Sequence, residues 1–320
     1  MFYLIAGGAG FLGSHLADRL IKDGHRVLCV DNFLTGRRKN IKHLFNEPLF
    51  TFLQADVTTP LLQEVIKEKI AGVFHLASPA SPNKTSPKSY MQYPVETMLV
   101  NSGGTYQLLE LARKHQARFL FASSSEIYGE PLVHPQKEDY FGNVNSYGPR
   151  SCYDEGKRFG EAICYTYLKK YQVDTRVVRI FNTYGPRMDP DDGRVVSNFV
   201  VAGLQNKPLE IYGKGEQTRS FCFVDDLVSG LILTMESKQA KGEVFNLGND
   251  EEYSIKQMAQ LVQEVMDKKL KINYLELPQD DPSRRKPDLE KARSVLGYNP
   301  NVDIKKGLQK TIDYFKEELA

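Results

Sequence analysis

A glycine-rich turn between an apolar run and an amphipathic segment constrains the fold of this chain more than any other feature. The run Phe2–Ala6 predicts a buried strand, and residues 14–23 predict a helix. Between them stands the spacing Gly8-x-Gly10-x-x-Gly13. Glycines there permit a tight turn and let the backbone approach a pyrophosphate at the helix N-terminus. The motif alone is weak, but its place between a strand and a helix predicts a dinucleotide site.

Apolar runs continue to alternate with amphipathic segments through the first half of the chain. Buried strands alternating with helices predict a parallel sheet covered on both faces, and right-handed crossovers then give an α/β doubly wound (Rossmann) fold. Ligands of such folds bind beyond the carboxyl ends of the strands. The further strands are predicted at 26–30, 49–54, 72–76, 118–122 and 174–180.

The pattern loosens after residue 182, where glycines and prolines become more frequent and the strands shorter. Runs at 221–224 and 244–247, with the segment 225–235 between them, are predicted to return to the sheet, and Ser254 is predicted to cap a helix. We expect two units: a cofactor-binding Rossmann domain of residues 1–182 plus about 221–248, and a smaller substrate lobe of about 183–220 plus 249–320.

Composition and charge disfavour several classes of protein. A net charge of +2 gives no support to nucleic-acid binding. No apolar run reaches the roughly 18 residues of a membrane span, and from the first residues we expect no signal peptide. The cysteines are scattered without a Cys-x-x-Cys pair, so we expect free thiols, no metal site and a cytoplasmic location. They are Cys29, Cys152, Cys164 and Cys222.

An acidic residue at the end of the second predicted strand indicates which dinucleotide binds. Asp31 follows Gly13 by 18 residues, and a carboxylate there accepts bonds from the adenosine ribose and repels a 2′-phosphate, which favours NAD. Arg37 and Arg38 lie nearby and keep the NADP alternative open, because they could pair with such a phosphate. The candidate cofactor residues are Gly7, Gly10, Phe11, Leu12, Gly13, Asp31, Asn32, Arg37, Asp56, Val57, Leu76, Tyr153 and Lys157.

The spacing Tyr-x-x-x-Lys occurs twice, and position separates the two copies. The pair Tyr153 and Lys157 follows Ser151-x-x-Asp154, which resembles a capping box and predicts that Tyr153 lies in the first helical turn, near the ligand edge of the sheet. The copy that begins at Tyr165 lies three turns further on, and we expect that tyrosine to pack internally. Chance matches are expected in a chain with 17 tyrosines, so the motif needs this context.

Chemically, Tyr153 and Lys157 are suited to removing the proton of an alcohol. A spacing of four places both on one helix face. A tyrosine has a pKa of about 10, and a neighbouring ammonium and a nicotinamide cation would favour tyrosinate. Ser124 follows a predicted strand and can bond the same substrate oxygen. We therefore predict proton removal coupled to hydride loss; the alternative is an amphipathic helix beside a serine-rich loop without catalytic role.

With these residues in place, the whole chain resembles the extended short-chain dehydrogenase/reductase family, most closely its branch that decarboxylates UDP-glucuronate. The resemblance implies that NAD oxidises C4 of the sugar, that the resulting β-keto acid loses CO₂, and that returned hydride gives UDP-xylose. It also implies a homodimer formed through two helices, near 103–114 and 151–170. The stretches that carry it are 75–82, 124–129, 148–157, 179–187, 192–198 and 284–288.

The same resemblance implies residue roles. It places Glu126 and Arg285 at the sugar, where Glu126 orients the ring or handles the proton and Arg285 positions the carboxylate. The implied catalytic residues are Tyr153, Lys157, Ser124, Glu126 and Arg285, and the implied substrate-binding residues are Ser78, Asn182, Arg187, Arg194, Arg219 and Arg285.

Other activities on the same fold remain as alternatives. A sugar-nucleotide 4,6-dehydratase needs an acid before the glutamate, and here that position is Ser125. A 4-epimerase acting on UDP-glucuronate or another UDP-sugar is the strongest rival, and a non-catalytic NAD-binding sensor or scaffold is the distant one. The proline-rich segment 78–94 is expected to cover the ligand site, and its part 83–90 is longer than in the family. The nucleoside base stays open.

Overall fold

The structure is a computed structural model that describes residues 1–84, 86–277 and 281–320. Its strands are β1 (Phe2–Ala6), β2 (Arg26–Asp31), β3 (Phe50–Gln54), β4 (Gly72–His75), β5 (Arg118–Ser124), β6 (Thr175–Ile180), β7 (Thr183–Tyr184), β8 (Leu209–Tyr212), β9 (Thr218–Ser220), β10 (Cys222–Phe223), β11 (Val244–Leu247), β12 (Glu252–Ser254), β13 (Ile272–Leu275) and β14 (Arg284–Arg285).

Helices separate most of these strands. They are α1 (Phe11–Lys22), α2 (Leu61–Val65), α3 (Pro94–Leu99), α4 (Thr105–His115), α5 (Ser151–Tyr171), α6 (Val195–Leu204), α7 (Val224–Glu236), α8 (Ile255–Met266), α9 (Glu290–Leu296) and α10 (Ile304–Glu318). A π-helical turn, Val100–Gly104, joins α3 to α4, and short 3₁₀ helices stand at Arg38–Leu44, Ser125–Tyr128 and Lys238–Ala240.

Seven parallel strands form the central sheet, in the order β11-β6-β5-β4-β1-β2-β3. Strand β1 pairs with β2 on one side and with β4 on the other, so that Ile5 lies between Cys29 and Phe74. The strand order therefore reverses at β1, which makes the carboxyl ends of β1 and β4 the topological switch point. The doubly wound parallel sheet predicted from the alternation of runs is confirmed.

Two local predictions differ from the structure. The run at 221–224 does not enter the central sheet, because its strand β10 pairs with β7 and Val224 already begins α7. Strand β5 runs two residues beyond its predicted end, since Ser123 and Ser124 pair with β6. The longer strand carries Ser124 to the ligand edge.

Of the two predicted helix caps, one is confirmed and one is wrong. Ser254 caps α8 through a capping box with Gln257, as predicted. Ser151 is not a cap: α5 begins after Arg150, and the Ser151 hydroxyl donates to the carbonyl oxygen of Gly148. The predicted capping box at the start of α5 is therefore wrong.

One hydrophobic cluster joins the two predicted units. It contains Ile5 and Leu16 beside the glycine turn as well as Val196, Met258 and Phe315 from the C-terminal half. The division of the chain into two lobes stays a prediction. Among the described residues, no helix combines the length and apolar character needed to cross a membrane.

Candidate functional site

The glycine turn between β1 and α1 is closed so tightly that side chains would not fit. Gly7 has φ +81°, and a Cβ there would stand 2.8 Å from Ala77. A Cβ on Gly13 would stand 2.1 Å from the carbonyl oxygen of Gly7. Helix α1 begins after Gly10, without an acidic residue in its first turn or a side-chain cap. Its first N–H groups and their positive dipole end suit a phosphate.

Beside this turn, the carboxylate of Asp31 is held by the backbone. The N–H of Ala9 donates to Asp31 Oδ2 at 3.0 Å, and that of Phe33 to Oδ1 at 2.8 Å. Burial raises the pKa of this carboxyl group. Asn32 donates to Asp56 at 3.0 Å across the ends of β2 and β3. The two acids and the turn thus form one wall, as an adenosine site requires.

An open cleft of about 870 Å³ runs along this wall. It brings together most of the predicted cofactor residues, and Ser78, which was predicted to bind substrate, lines it too. The predicted residues in its lining are Gly7, Gly10, Asp31, Asn32, Asp56, Val57, Leu76 and Ser78. The glycine turn, which has no Cβ atoms, and the carboxylates of Asp31 and Asp56 fit a dinucleotide.

Arg37 is directed away from this cleft. Its guanidinium group donates to the carbonyl oxygens of Arg187 and Met188, both at 3.0 Å, and to Glu318 at 3.2 Å. Arg38 lies over a phenylalanine ring. These contacts give the predicted cofactor role of Arg37 no support, because its guanidinium group is bonded to acceptors outside the cleft.

Tyr153 and Lys157 occupy the first two turns of α5 and are buried. Lys157 Nζ donates to the carbonyl oxygen of Ala122 at 2.8 Å and lies 5.6 Å from the centroid of the Tyr153 ring. Burial lowers the pKa of Lys157 to about 7. Burial raises the pKa of Tyr153 to about 12, and a hydrogen bond with Ser124 acts in the opposite direction. A positive charge beside the phenol would be needed to form tyrosinate near neutrality.

A clamp of two arginines holds Glu126 at the same edge. Arg285 donates through Nη1 and Nη2 to the two carboxylate oxygens, each at 2.7 Å, and Arg150 donates to Oε2 at 2.6 Å. Both arginines are buried. Burial alone would raise the pKa of Glu126, but the two guanidinium charges lower it below its ordinary value. Glu126 is therefore an ionised carboxylate that two buried guanidinium groups hold.

Arg219, which is buried, forms a second ion pair next to this clamp. Its Nη2 donates to Asp281 at 3.0 Å and to the carbonyl oxygen of Pro282 at 2.6 Å. Asp281 also lies 3.8 Å from Nη1 of Arg150. Burial lowers the pKa of Arg219 to about 10. The structure thus brings two predicted residues, Arg219 and Arg285, into one charged cluster with Glu126.

Other predicted substrate residues make contacts outside this cluster. Arg187 pairs with Asp18 of α1 at 2.6 Å. Arg194 donates to the carbonyl oxygen of Ala80 at 3.0 Å, and its charge acts on the pKa of the Tyr153 phenol. Asn182 accepts a backbone hydrogen bond through its carbonyl oxygen as β7 meets β10.

Two site residues were missed by sequence reasoning. Tyr90 stacks on Tyr153 with ring centroids 4.9 Å apart and planes 16° from parallel. Nothing in its loop predicts this, and Thr85 of the same 83–90 stretch lies outside the described residues. Arg150 stands in the 148–157 stretch, directly before a helix that carries Tyr153. That position was the available signal, since a residue preceding such a helix lies at the ligand edge.

The fold and the site together define a class: a dinucleotide-dependent protein of the short-chain dehydrogenase/reductase type, with a Tyr–Lys pair beside the cofactor cleft. The chain belongs to the NAD dependent epimerase/dehydratase family, whose profile matches residues 3–248. It therefore belongs to the extended branch of that class and uses NAD.

Named relatives match along nearly the whole chain. The chain is 51% identical over 316 residues to UDP-glucuronic acid decarboxylase 1 of Xenopus tropicalis, with 99% of this chain and 72% of the relative covered. It is 48% identical to UDP-glucuronic acid decarboxylase 4 of Arabidopsis thaliana, covering 99% and 69%. Among solved structures, UDP-glucuronic acid 4-epimerase of Bacillus cereus with UDP-glucuronic acid and NAD is 31% identical, with a TM-score of 0.86 and coverage of 99% and 100%.

Proposed function

We propose that this protein decarboxylates UDP-glucuronate to UDP-xylose with NAD as a catalytic cofactor. The observation that carries the proposal is the Glu126 clamp, in which Arg150 and Arg285 present two buried guanidinium groups at the edge that holds Tyr153. A neutral sugar has no group that requires such a cluster, whereas a uronate brings a carboxylate. The relatives of 51% and 48% identity support the same activity.

NAD belongs in the cleft between the glycine turn and Asp31, where it supplies the site that takes the hydride from C4 and returns it. The chain's own residues then handle the proton. Tyr153 accepts the proton of the C4 hydroxyl, and Ser124 bonds the same oxygen. When Lys157 is protonated, its charge favours the phenolate form of Tyr153, because Nζ of Lys157 lies 5.6 Å from the centroid of that ring.

Oxidation at C4 places a ketone beta to the carboxylate. The bond between C5 and the carboxylate carbon then breaks, and CO₂ leaves. The electron pair of that bond forms an enolate across C4 and C5. Tyr153 and Ser124 stabilise the enolate oxygen by hydrogen bonds. A proton is then added at C5, so each turnover consumes one proton. Glu126 and Arg285 orient the ring and the carboxylate. Binding of the sugar nucleotide is assigned to the smaller lobe proposed for about 183–220 plus 249–320.

A 4-epimerase acting on UDP-glucuronate is the second candidate. The structure of the Bacillus cereus epimerase, 31% identical to this chain, favours it. Both enzymes form the same ketone intermediate. An epimerase must keep the carboxylate that a decarboxylase releases as CO₂. The two activities therefore share the oxidation at C4 and diverge after the ketone, so their products distinguish them.

An NMR time course with UDP-glucuronate and catalytic NAD⁺, without added reductant, tests the proposal. UDP-xylose with one CO₂ per turnover is the expected result. UDP-galacturonate would instead establish the epimerase, and an unchanged spectrum would mean that another nucleotide sugar is the substrate. Tyr153→Phe is the control, since it keeps the ring and removes the phenol that accepts the proton.

We also propose that the protein works as a homodimer in the cytoplasm. Tyr167 of α5 packs internally and is not available to a second copy, since it is buried and donates to Glu110 at 2.6 Å. Other apolar side chains of α3, α4 and α5 are uncovered, and Tyr165, expected to pack internally, is 63% exposed. Four free, buried cysteines suit a reducing compartment. The uncovered side chains are Val95, Met98, Leu99, Tyr106, Phe159 and Tyr165.

A further inference from the structure

Asp154, directly after Tyr153 on α5, carries a buried carboxyl group that no contact explains. The residue is 6% exposed. Its Oδ1 is enclosed and makes no hydrogen bond with any residue that the structure describes. An acid in the first turn of a helix ordinarily meets water or a cap. Here the predicted cap is absent, because the Ser151 hydroxyl donates to Gly148 instead.

The surroundings of Asp154 contain four charged groups. Glu126 and Arg150 approach from the ligand edge, Arg285 comes from β14, and Glu155 is the next residue of α5. Glu126 already receives three hydrogen bonds from the two guanidinium groups. The neutral titratable groups that face Asp154 are Tyr90, Cys152 and Tyr153.

Two carboxyl groups in one buried pocket do not ionise equally. Burial and the negative charge of Glu126 raise the pKa of Asp154. The guanidinium groups of Arg150 and Arg285 instead hold the pKa of Glu126 below its ordinary value. Glu126 therefore takes the charge, and Asp154, whose Oδ1 has no hydrogen-bond partner among the described residues, keeps the proton.

This arrangement fixes the charge that the pocket offers to a ligand. Two guanidinium groups around one carboxylate leave one positive charge unpaired. The neighbouring pair of Arg219 and Asp281, joined at 3.0 Å, is neutral by itself. If Asp154 were ionised, the unpaired positive charge would be cancelled. The clamp would then hold no net charge to receive a sugar carboxylate.

We propose that Asp154 is a positioning residue that stays protonated in the working enzyme, so that Arg150 and Arg285 keep one positive charge for the carboxylate of the uronate. The inference rests on the proposed function. It makes Asp154 a determinant of specificity for acidic over neutral sugars, acting through the arginines rather than by touching the substrate. Binding of a uronate then requires Asp154 to be protonated, whereas binding of a neutral pentose does not.

The test compares two ligands that differ in that carboxylate. UDP-glucuronate and UDP-xylose are titrated calorimetrically into NAD-loaded protein carrying Tyr153→Phe, which prevents turnover, from about pH 6 to about pH 9. Above the titration point of Asp154, the Kd of UDP-glucuronate should rise by up to about tenfold per pH unit, with uptake of about one proton. The Kd of UDP-xylose should follow no such rise.

Adding Asp154→Asn should remove the difference in pH dependence, because the amide is neutral at every pH. Glu155→Gln is the matched control, since the neighbouring carboxylate is partly exposed on the same helical turn. It should keep the difference between the two ligands and only move its onset to slightly lower pH, because the Glu155 charge raises the pKa of Asp154. Equal pH dependence for the two ligands in the Tyr153→Phe parent would overturn the inference without any variant at Asp154. So would a difference that persists in Asp154→Asn. Absence of turnover on UDP-glucuronate in the unmodified enzyme would instead count against the proposed function.

Discussion

The ring of Tyr90 lies flat against the ring of Tyr153, with centroids 4.9 Å apart. Cys152 also reaches this loop, its thiol donating to the carbonyl oxygen of Tyr90 at 3.7 Å. The loop thereby covers one face of the phenol that the proposed reaction uses. Its contribution to the site is the orientation of Tyr153, since a stacked ring has less freedom to turn.

Two substitutions of Tyr90 should distinguish the contribution of its ring to stability from that of its hydroxyl group. The hydroxyl is buried and without a partner among the described residues, so Tyr90→Phe should leave the free energy of unfolding unchanged or raise it by up to about 1 kcal/mol. Tyr90→Ala removes the stack and leaves a cavity, at a cost of about 3 kcal/mol. Urea denaturation measures both. Equal destabilisation by the two variants would show that the hydroxyl, not the ring, is needed.

Arg285 and its neighbour Arg284 form a matched pair for testing the clamp. Arg285 is buried on Glu126, while Arg284 is exposed. Arg285→Ala and Glu126→Gln should each lower the rate of CO₂ release by about 100-fold, with NAD affinity unchanged, because the groups that orient the carboxylate are lost. Arg284→Ala should behave as the unmodified enzyme. Full turnover in both clamp variants would exclude a role for the clamp.

Lys157 should make stability depend on pH in the NAD-free protein. Burial lowers its pKa to about 7, whereas an unfolded lysine titrates at about 10.4. Between these values the unfolded chain binds more protons, so the stabilising contribution is present at high pH and is lost as pH falls towards 7. Relative to Lys157→Met, the free energy of unfolding should rise by up to about 1.4 kcal/mol per pH unit. Parallel stability curves for the two proteins would contradict this.

Arg37 should act on stability rather than on cofactor choice. Its guanidinium group ties the region after β2 to the carbonyl oxygens of Arg187 and Met188 and to Glu318 of α10. Arg37→Ala should therefore lower the free energy of unfolding by about 1–3 kcal/mol. Arg38→Ala, at an exposed position, is the control. Binding titrations with NAD and NADP should give the same preference in both variants, and a gain in NAD preference in Arg37→Ala would reverse this assignment.

The uncovered face of α5 should decide the oligomeric state. Phe159 is 50% exposed, and Phe159→Glu should give a monomer in light scattering at micromolar concentration, because a charge would be buried against a second copy. Leu132→Glu changes a side chain that is 76% exposed outside these helices and should leave the dimer intact. A monomer before any substitution would reject the dimer itself.

Local patterns predicted the parts of the site that lie close together in sequence. The glycine turn and the Tyr153–Lys157 pair follow from spacing and from the strands or helices beside them. Ser124 was predicted to follow a strand, but pairing with β6 extends that strand to include it. The prediction failed where competing local contacts decide, as at Ser151, whose hydroxyl found a backbone acceptor instead of capping α5.

By itself, the sequence determined the doubly wound sheet and the position of the cofactor turn, because periodicity and glycine spacing act over a few residues. Only the tertiary structure decided the charges of the site. Glu126 and Arg285 are 159 residues apart in the chain, and whether Glu126 or Asp154 keeps its charge depends on which one the arginines reach in the folded protein. Electrostatic partners of buried groups are set by long-range packing, to which no local pattern is sensitive.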